Sequence, residues 1–150
     1  MNRSYFQLLI LIPVLILLAA ACSEQADAPA VPDADAPLSE RVDFLIAQDR
    51  YEQALSLLEG ENRQDQEILR QFEKVHLNYG LNSMSTFDPN QMRTRMNNAL
   101  VQFTEVLRIN PNNQMARQQI EQIMDVYATM PDRGPDEEVL EGLREVGYSY

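Results

Sequence analysis

Apolar side chains recur every three or four positions between residues 92 and 109, which is the spacing of one face of an α-helix. Pro111 ends this stripe, because proline has no N–H group to donate and disfavours helical geometry in the residue before it, Asn110. The pattern predicts an amphipathic helix that packs against its neighbours, with one aromatic ring at its centre. Its apolar members are Met92, Met96, Ala99, Leu100, Phe103, Val106 and Leu107.

The same spacing appears in five other stretches, and none shows the alternation that is typical of a strand. These stretches predict helices over residues 42–46, 51–58, 68–79, 115–127 and 139–146. Gly60 and Gly80 suit the ends of the second and third helices, and residues 82–86 are predicted to form a loop. Asp88 followed by a proline is typical of a helix start, as is the Gly-Pro pair at residues 134–135. The sequence therefore predicts an all-α domain of about six helices in three hairpins.

Three residues of the central helix match positions that are typical of tetratricopeptide repeats (TPRs). Ala99 stands at the small position, Phe103 at the aromatic position and Pro111 at the terminating position. Residues 49–54, Asp-Arg-Tyr-Glu-Gln-Ala, are similar to the turn and second-helix start of another such unit. The chain thus resembles the TPR family over roughly residues 38–130. The resemblance implies antiparallel helical hairpins stacked as a short TPR-like solenoid, which acts as a scaffold for protein–protein interaction.

In TPR-like scaffolds, the first helix of each hairpin lines a concave face, and its outward polar residues contact a peptide. The resemblance therefore makes six residues candidates for partner binding, although each also fits an ordinary solvated helix face. Most carry amide side chains, which suit hydrogen bonds to a peptide backbone better than ion pairs. The candidates are Gln71, Lys74 and Asn78 on one helix, and Gln118, Gln122 and Asp125 on another.

The first 21 residues have the organisation of a secretory signal. Arg3 gives a short positive start, an apolar run follows over residues 8–18, and three alanines precede Cys22. The run is short for a membrane span of roughly 20 residues and contains Pro13, so an uncleaved anchor helix is the weaker alternative. The sequence Leu-Ala-Ala-Ala-Cys at residues 18–22 resembles the lipobox of bacterial lipoproteins. This resemblance implies cleavage before Cys22 and fatty acylation there. Ser23, where an aspartate would imply inner-membrane retention, favours the outer membrane.

Residues 22–37 follow the predicted cleavage site and consist mainly of alanine, aspartate and proline. Such a segment has too little apolar surface to offset the entropy of ordering, so it is predicted to be a disordered tether. Residues 38–150 remain for one helical domain. The chain carries a net charge of −11, which argues against nucleic acid as a partner. Membrane association must then come from acyl chains, since anionic headgroups would repel this domain.

No constellation of catalytic residues is evident in the sequence. His76 is the only histidine and Cys22 the only cysteine, so metal sites and nucleophilic triads lack their usual residues. The acidic residues between 132 and 141 lack the ordered spacing of a calcium loop, and no glycine-rich phosphate loop is present. We therefore expect a non-enzymatic protein without cofactor or metal, which binds an envelope protein or peptide. The alternative is a small envelope enzyme or a ligand-binding lipoprotein with a site that the sequence does not reveal.

Overall fold

The computed structural model describes residues 32–85, 88, 90–130 and 133–150, and within them the chain forms six α-helices and no strand. The predicted all-α class is confirmed. The predicted signal peptide, Cys22 and the tether up to residue 31 lie outside the described residues. No helix among the described residues is long and apolar enough to cross a membrane. The helices are α1 (Leu38–Ala47), α2 (Tyr51–Glu59), α3 (Gln66–Ser85), α4 (Met92–Ile109), α5 (Gln114–Ala128) and α6 (Glu137–Glu145).

The two longest helices, α3 and α4, form the central antiparallel hairpin. The end of α3 meets the start of α4, where the Arg95 guanidinium donates to the backbone carbonyls of Asn82 and Ser83 at 3.0 Å each. Nearer the middle of both helices, Gly80 is buried directly beneath the ring of Phe103. The absence of a side chain at Gly80 is what allows the two helices to approach so closely.

The prediction that the third helix ends near Gly80 is therefore wrong. Helix α3 continues to Ser85 and includes most of the predicted loop at residues 82–86. Glycine costs about 1 kcal/mol relative to alanine inside a helix, and the packing of Phe103 against it offsets that cost. At the other end of the connection, α4 begins at Met92, and the Asp88 side chain instead accepts a hydrogen bond from the backbone N–H of Asn90 at 2.9 Å.

Helices α1 and α2 pack against α3 and form the first of two apolar clusters. Ile109, at the end of α4, also contacts this cluster from the side. Gly60 occupies the predicted position directly after α2, with an ordinary right-handed backbone conformation. The buried members of this cluster are Val42, Leu45, Tyr51, Ala54, Leu58, Ile68, Phe72 and Val75.

Helices α5 and α6 pack against α4 and form the second cluster. Phe103 lies within it and is fully buried, as the sequence predicts. Polar contacts fix α6 along α4: the Asn97 side chain donates to the carboxylate of Asp136, and Arg108 pairs with Glu145 at 2.6 Å. The buried members are Ala99, Leu100, Phe103, Val106, Leu107, Ala116, Ile120, Ile123, Tyr127, Val139 and Leu143.

The turn between α4 and α5 is fixed by three side chains. Helix α4 ends at Ile109, immediately before the Asn110-Pro111 pair that predicts its end. The side chain of Asn113 caps α5 by accepting from the backbone N–H of Ala116 at 2.9 Å. The carboxylate of Glu73 on α3 accepts from the side-chain amides of both Asn110 and Asn113, at 2.8 Å each. These bonds set the direction in which α5 leaves the central hairpin.

Candidate functional site

The outward side of α5 carries a shallow surface recess with a volume of about 540 Å³. Three of the six candidate partner-binding residues, Gln118, Gln122 and Asp125, line it together. They share this side because they lie three or four residues apart, opposite the buried residues that pack on α4. Sequence reasoning missed the other half of the lining, which becomes visible only once the buried face of α5 is known. The recess is formed by Gln118, Glu121, Gln122, Asp125, Val126 and Thr129, and we call it the α5 recess.

A second, more enclosed space of about 290 Å³ lies between the start of α4 and the end of α5. Methionines supply much of its wall, and we call it the methionine cavity. The sequence assigned Met92 and Met96 to core packing, and both are partly buried, but they also border this cavity. Methionine side chains adapt readily to irregular shapes, so the cavity wall suits apolar groups of more than one form. The lining comprises Asn90, Met92, Arg93, Met96, Ile123, Val126, Tyr127, Met130 and Arg133.

Val126 lines both the α5 recess and the methionine cavity, so the two form one continuous surface. Val126 lies near the end of α5 and is 40% exposed. The recess contributes amide and carboxylate groups, and the cavity contributes methionine side chains together with the guanidinium groups of Arg93 and Arg133. Together they present the combination of an apolar centre and a polar surround that is typical of protein-binding surfaces.

The electrostatic character of the α5 recess is acidic. Glu121 and Asp125 lie four residues apart on one helix face, both are exposed, and neither forms an ion pair with any described residue. Their charges also act on the side chain of Tyr150. Burial, the neighbouring Tyr148, and then Glu121 and Asp125 raise the pKa of Tyr150 above its ordinary value.

The three candidates on α3 do not lie in the α5 recess. The expectation that Gln71 faces outward is wrong, because its side chain is only 7% exposed and donates to the Glu67 carboxylate at 2.7 Å. Helix α3 packs against α1, α2 and α4, and this wide contact buries a position that a one-sided helix would expose. Lys74 pairs with Asp43 on α1, and the Asn78 side chain donates to the carbonyl of Lys74 at 2.8 Å. These three side chains thus bond within the α1–α3 region.

His76 belongs to a chain of polar contacts between α3 and α4. Its Nδ1 lies 2.7 Å from Oε1 of Gln102, whose amide donates to Asn98 at 3.3 Å, and Asn98 donates to the Ser83 hydroxyl at 2.8 Å. Burial lowers the pKa of His76 below its ordinary value, against the opposing effects of Gln102 and the charge of Glu105. Among the described residues, no group of three or more histidine, cysteine, aspartate or glutamate side chains is placed to hold a metal ion.

The turn between α1 and α2 contains the one positive φ angle of a non-glycine residue among the described positions, 55° at Asp49. Its carboxylate accepts from the Tyr51 hydroxyl at 2.7 Å and from the Asn82 side chain at 3.0 Å. Burial, followed by the bond to Asp49, raises the pKa of Tyr51 to about 12. Tyr51 therefore keeps its proton well into the alkaline range, and Asp49 links it to Asn82 on α3 through the two hydrogen bonds.

Comparisons of the chain with family models, with curated proteins and with solved structures give no match. The function must therefore be argued from the α5 recess and the methionine cavity themselves.

Proposed function

We propose that this protein is a lipid-anchored helical adaptor of the bacterial envelope, which binds a polypeptide partner through the α5 recess. The observation that carries the proposal is the surface around Val126, where an exposed apolar residue borders both a recess with amide and carboxylate groups and a cavity lined by methionines and two arginines. A partner segment laid along α5 would cover Val126 and hydrogen-bond to the amides of Gln118 and Gln122.

The anchor is proposed from the sequence. Cys22 follows a charged start, an apolar run and three alanines, and this order resembles a lipoprotein signal. Several acyl chains on one residue would hold the domain at the membrane, where a single chain binds only marginally. By the lipoprotein resemblance, the anchor belongs on the periplasmic side, with the outer membrane favoured.

The second candidate function is that of a ligand-binding lipoprotein, and the methionine cavity is the observation that favours it. Its volume of about 290 Å³ is at the lower limit of the roughly 300–1,000 Å³ that is usual for small-molecule sites. A ligand confined to this cavity would cover Val126 on the cavity side alone and would leave the α5 recess empty. A polypeptide accounts for both features, and we therefore prefer it.

Photo-crosslinking in living cells tests the adaptor proposal directly. A photoreactive amino acid at position 126 should crosslink to one polypeptide partner. The matched control is position 101 on α4, because Val101 is 41% exposed against 40% for Val126 and lines neither the α5 recess nor the methionine cavity. Equal crosslinking from both positions would mean that α5 has no special role, and crosslinking from neither would contradict the adaptor proposal.

The anchor has its own test. Cys22→Ser should block maturation at this site and prevent acylation, so the mass of the fatty acids should be absent from the variant. Intact-mass measurement of the unaltered protein is the control. If the unaltered mature protein carries no acyl groups, the anchor proposal is wrong, whatever the crosslinking shows.

A further inference from the structure

The charges around the α5 recess indicate the kind of segment that fits it. We propose that the bound segment is cationic and inserts one large apolar side chain into the methionine cavity. This inference deepens the proposed function and rests on it, since it specifies the chemistry of the polypeptide partner.

The cationic part of the inference follows from the two carboxylates of the recess. Glu121 and Asp125 are exposed, lie on one face of α5 and form no ion pair with the described residues. Two like charges at this spacing repel each other, and a partner lysine or arginine placed between them would relieve the repulsion. An acidic segment would instead be repelled by both carboxylates and by the net charge of −11 on the whole chain.

The apolar part of the inference follows from the shape and lining of the methionine cavity. A volume of about 290 Å³ suits one large side chain better than a complete lipid or a folded element. Met92, Met96 and Met130 supply its adaptable walls, and Val126 stands where the cavity meets the recess. A leucine or phenylalanine entering there would bury its own apolar surface together with that of Val126.

The arrangement of charges also fixes where the cations of the segment belong. Arg93 at the cavity is paired with Asp136 at 2.7 Å, so its charge is already compensated, whereas Arg133 forms no ion pair with a described residue. Arg133 also borders a neighbouring recess that contains Glu121 and Asp125, but it does not line the α5 recess, so a partner cation is attracted most strongly at the α5 recess. The apolar side chain should therefore enter the cavity while the flanking lysine or arginine lies over α5.

Short peptides test this chemistry on the full chain as isolated from cells. The probe is the blocked tripeptide Lys-Leu-Lys; Glu-Leu-Glu controls for charge and Lys-Ala-Lys controls for the apolar side chain. Binding is followed by the methyl resonances of labelled methionine, with Met92, Met96 and Met130 as reporters. Met115 is the internal reference, because it lies about 16 Å along α5 from Val126 at the usual helical rise.

At low ionic strength, Lys-Leu-Lys should bind about tenfold more tightly than Glu-Leu-Glu, and added salt should reduce this difference. Replacing leucine by alanine in the probe should also weaken binding about tenfold, because one buried side chain is lost. Perturbation should appear at the three cavity methionines and not at Met115. Equal affinity for the two charged probes would overturn the cationic part, and unperturbed cavity methionines would overturn the apolar part.

Two double variants distinguish the effect of the two recess carboxylates from the effect of the net charge of the whole chain. Glu121→Gln with Asp125→Asn should abolish most of the preference for Lys-Leu-Lys. Glu138→Gln with Glu141→Gln on α6 changes the net charge equally, at exposed residues without ion pairs to described residues, and should keep the preference within about twofold. Equal loss in both variants would overturn the proposal. Circular dichroism confirms that both variants remain folded.

The two proposals fail in different ways. A crosslinked polypeptide with an acidic segment at position 126 would leave the adaptor proposal standing and overturn the cationic one. Absence of any crosslink would overturn the adaptor proposal, even if the tripeptides bind as expected.

Discussion

Gly80→Ala probes the closest contact between the two central helices. An added Cβ would lie 2.5 Å from Cε1 of Phe103, 2.8 Å from Cζ and 2.9 Å from Cδ1. All three distances are well below van der Waals contact, and the ring is fully buried, so it has no solvent to move into. The methyl group can be accommodated only if α3 and α4 separate or the ring of Phe103 moves.

The magnitude follows from two opposing effects. Overpacking a well-packed core costs about 1–3 kcal/mol, and three short contacts with one ring place this site near the upper end of that range. Alanine also stabilises a helix by about 1 kcal/mol relative to glycine. The expected result is a net destabilisation of about 2 kcal/mol, although helix propensity alone would make the same substitution stabilising.

Urea unfolding followed by circular dichroism measures this difference, and the chain provides a matched control. Gly142 on α6 also lies inside a helix, but an added Cβ there would meet its nearest neighbours, Arg108 and Thr104, at 3.6 Å. Gly142→Ala should therefore stabilise the fold by up to about 1 kcal/mol. In a Phe103→Leu background, the cost of Gly80→Ala should fall by at least about 1 kcal/mol, because the ring atoms are gone. If Gly80→Ala stabilises the protein as Gly142→Ala does, the close approach of α3 and α4 is refuted.

Four further predictions concern single side chains. Phe103→Ala should lower the free energy of unfolding by about 3–5 kcal/mol, measured from urea midpoints, because it empties the middle of the second cluster. Burial lowers the pKa of His76 below the ordinary value near 6.5. As the pH falls through that value, His76 is therefore protonated in the unfolded state before it is protonated in the folded state. The fold should therefore lose stability as the pH falls through about 6.5, and His76→Gln should flatten that dependence; an unchanged pH profile would contradict the burial argument. Tyr127→Phe should leave stability unchanged or raise it by about 1 kcal/mol, because the buried hydroxyl has no hydrogen-bond partner among the described residues. Tyr51→Phe, which removes the bond to Asp49, should instead cost about 1–2 kcal/mol, so equal effects of the two tyrosine changes would refute this contrast.

The local features of the helices could be predicted from the sequence because they depend on neighbours three or four residues away. The stripe through Leu100, Phe103 and Val106 is buried as its spacing indicates. Pro111 marks the end of α4, because a missing N–H group acts on its own backbone whatever surrounds it. The lipid anchor at Cys22 and the TPR resemblance also rest on local sequence, and both stay predictions.

Tertiary structure decided the features that depend on which helix faces meet. Gly80 was expected to end α3, and it lies inside that helix because the ring of Phe103, from another helix, occupies the space of its missing side chain. Gln71 was expected to face outward, and it is buried because α3 is in contact with three other helices. Neither outcome could be read from helical periodicity, which gives the position of a residue around its own axis and not the neighbour that it meets.

The candidate site also combines features that the sequence predicts with features that only the packing of the helices produces. The spacing of Gln118, Gln122 and Asp125 placed them on one face of α5, and the structure brings all three into one recess. The methionine cavity joins residues from the start of α4 and the end of α5. Met96 and Val126, for example, both line it although they are about 30 positions apart in the chain. Periodicity identified Met96 as part of an apolar stripe, but only the packing of α5 on α4 leaves a cavity beside it. A sequence therefore determines the faces of its helices through local spacing, while the gaps between those faces arise from how the helices pack together.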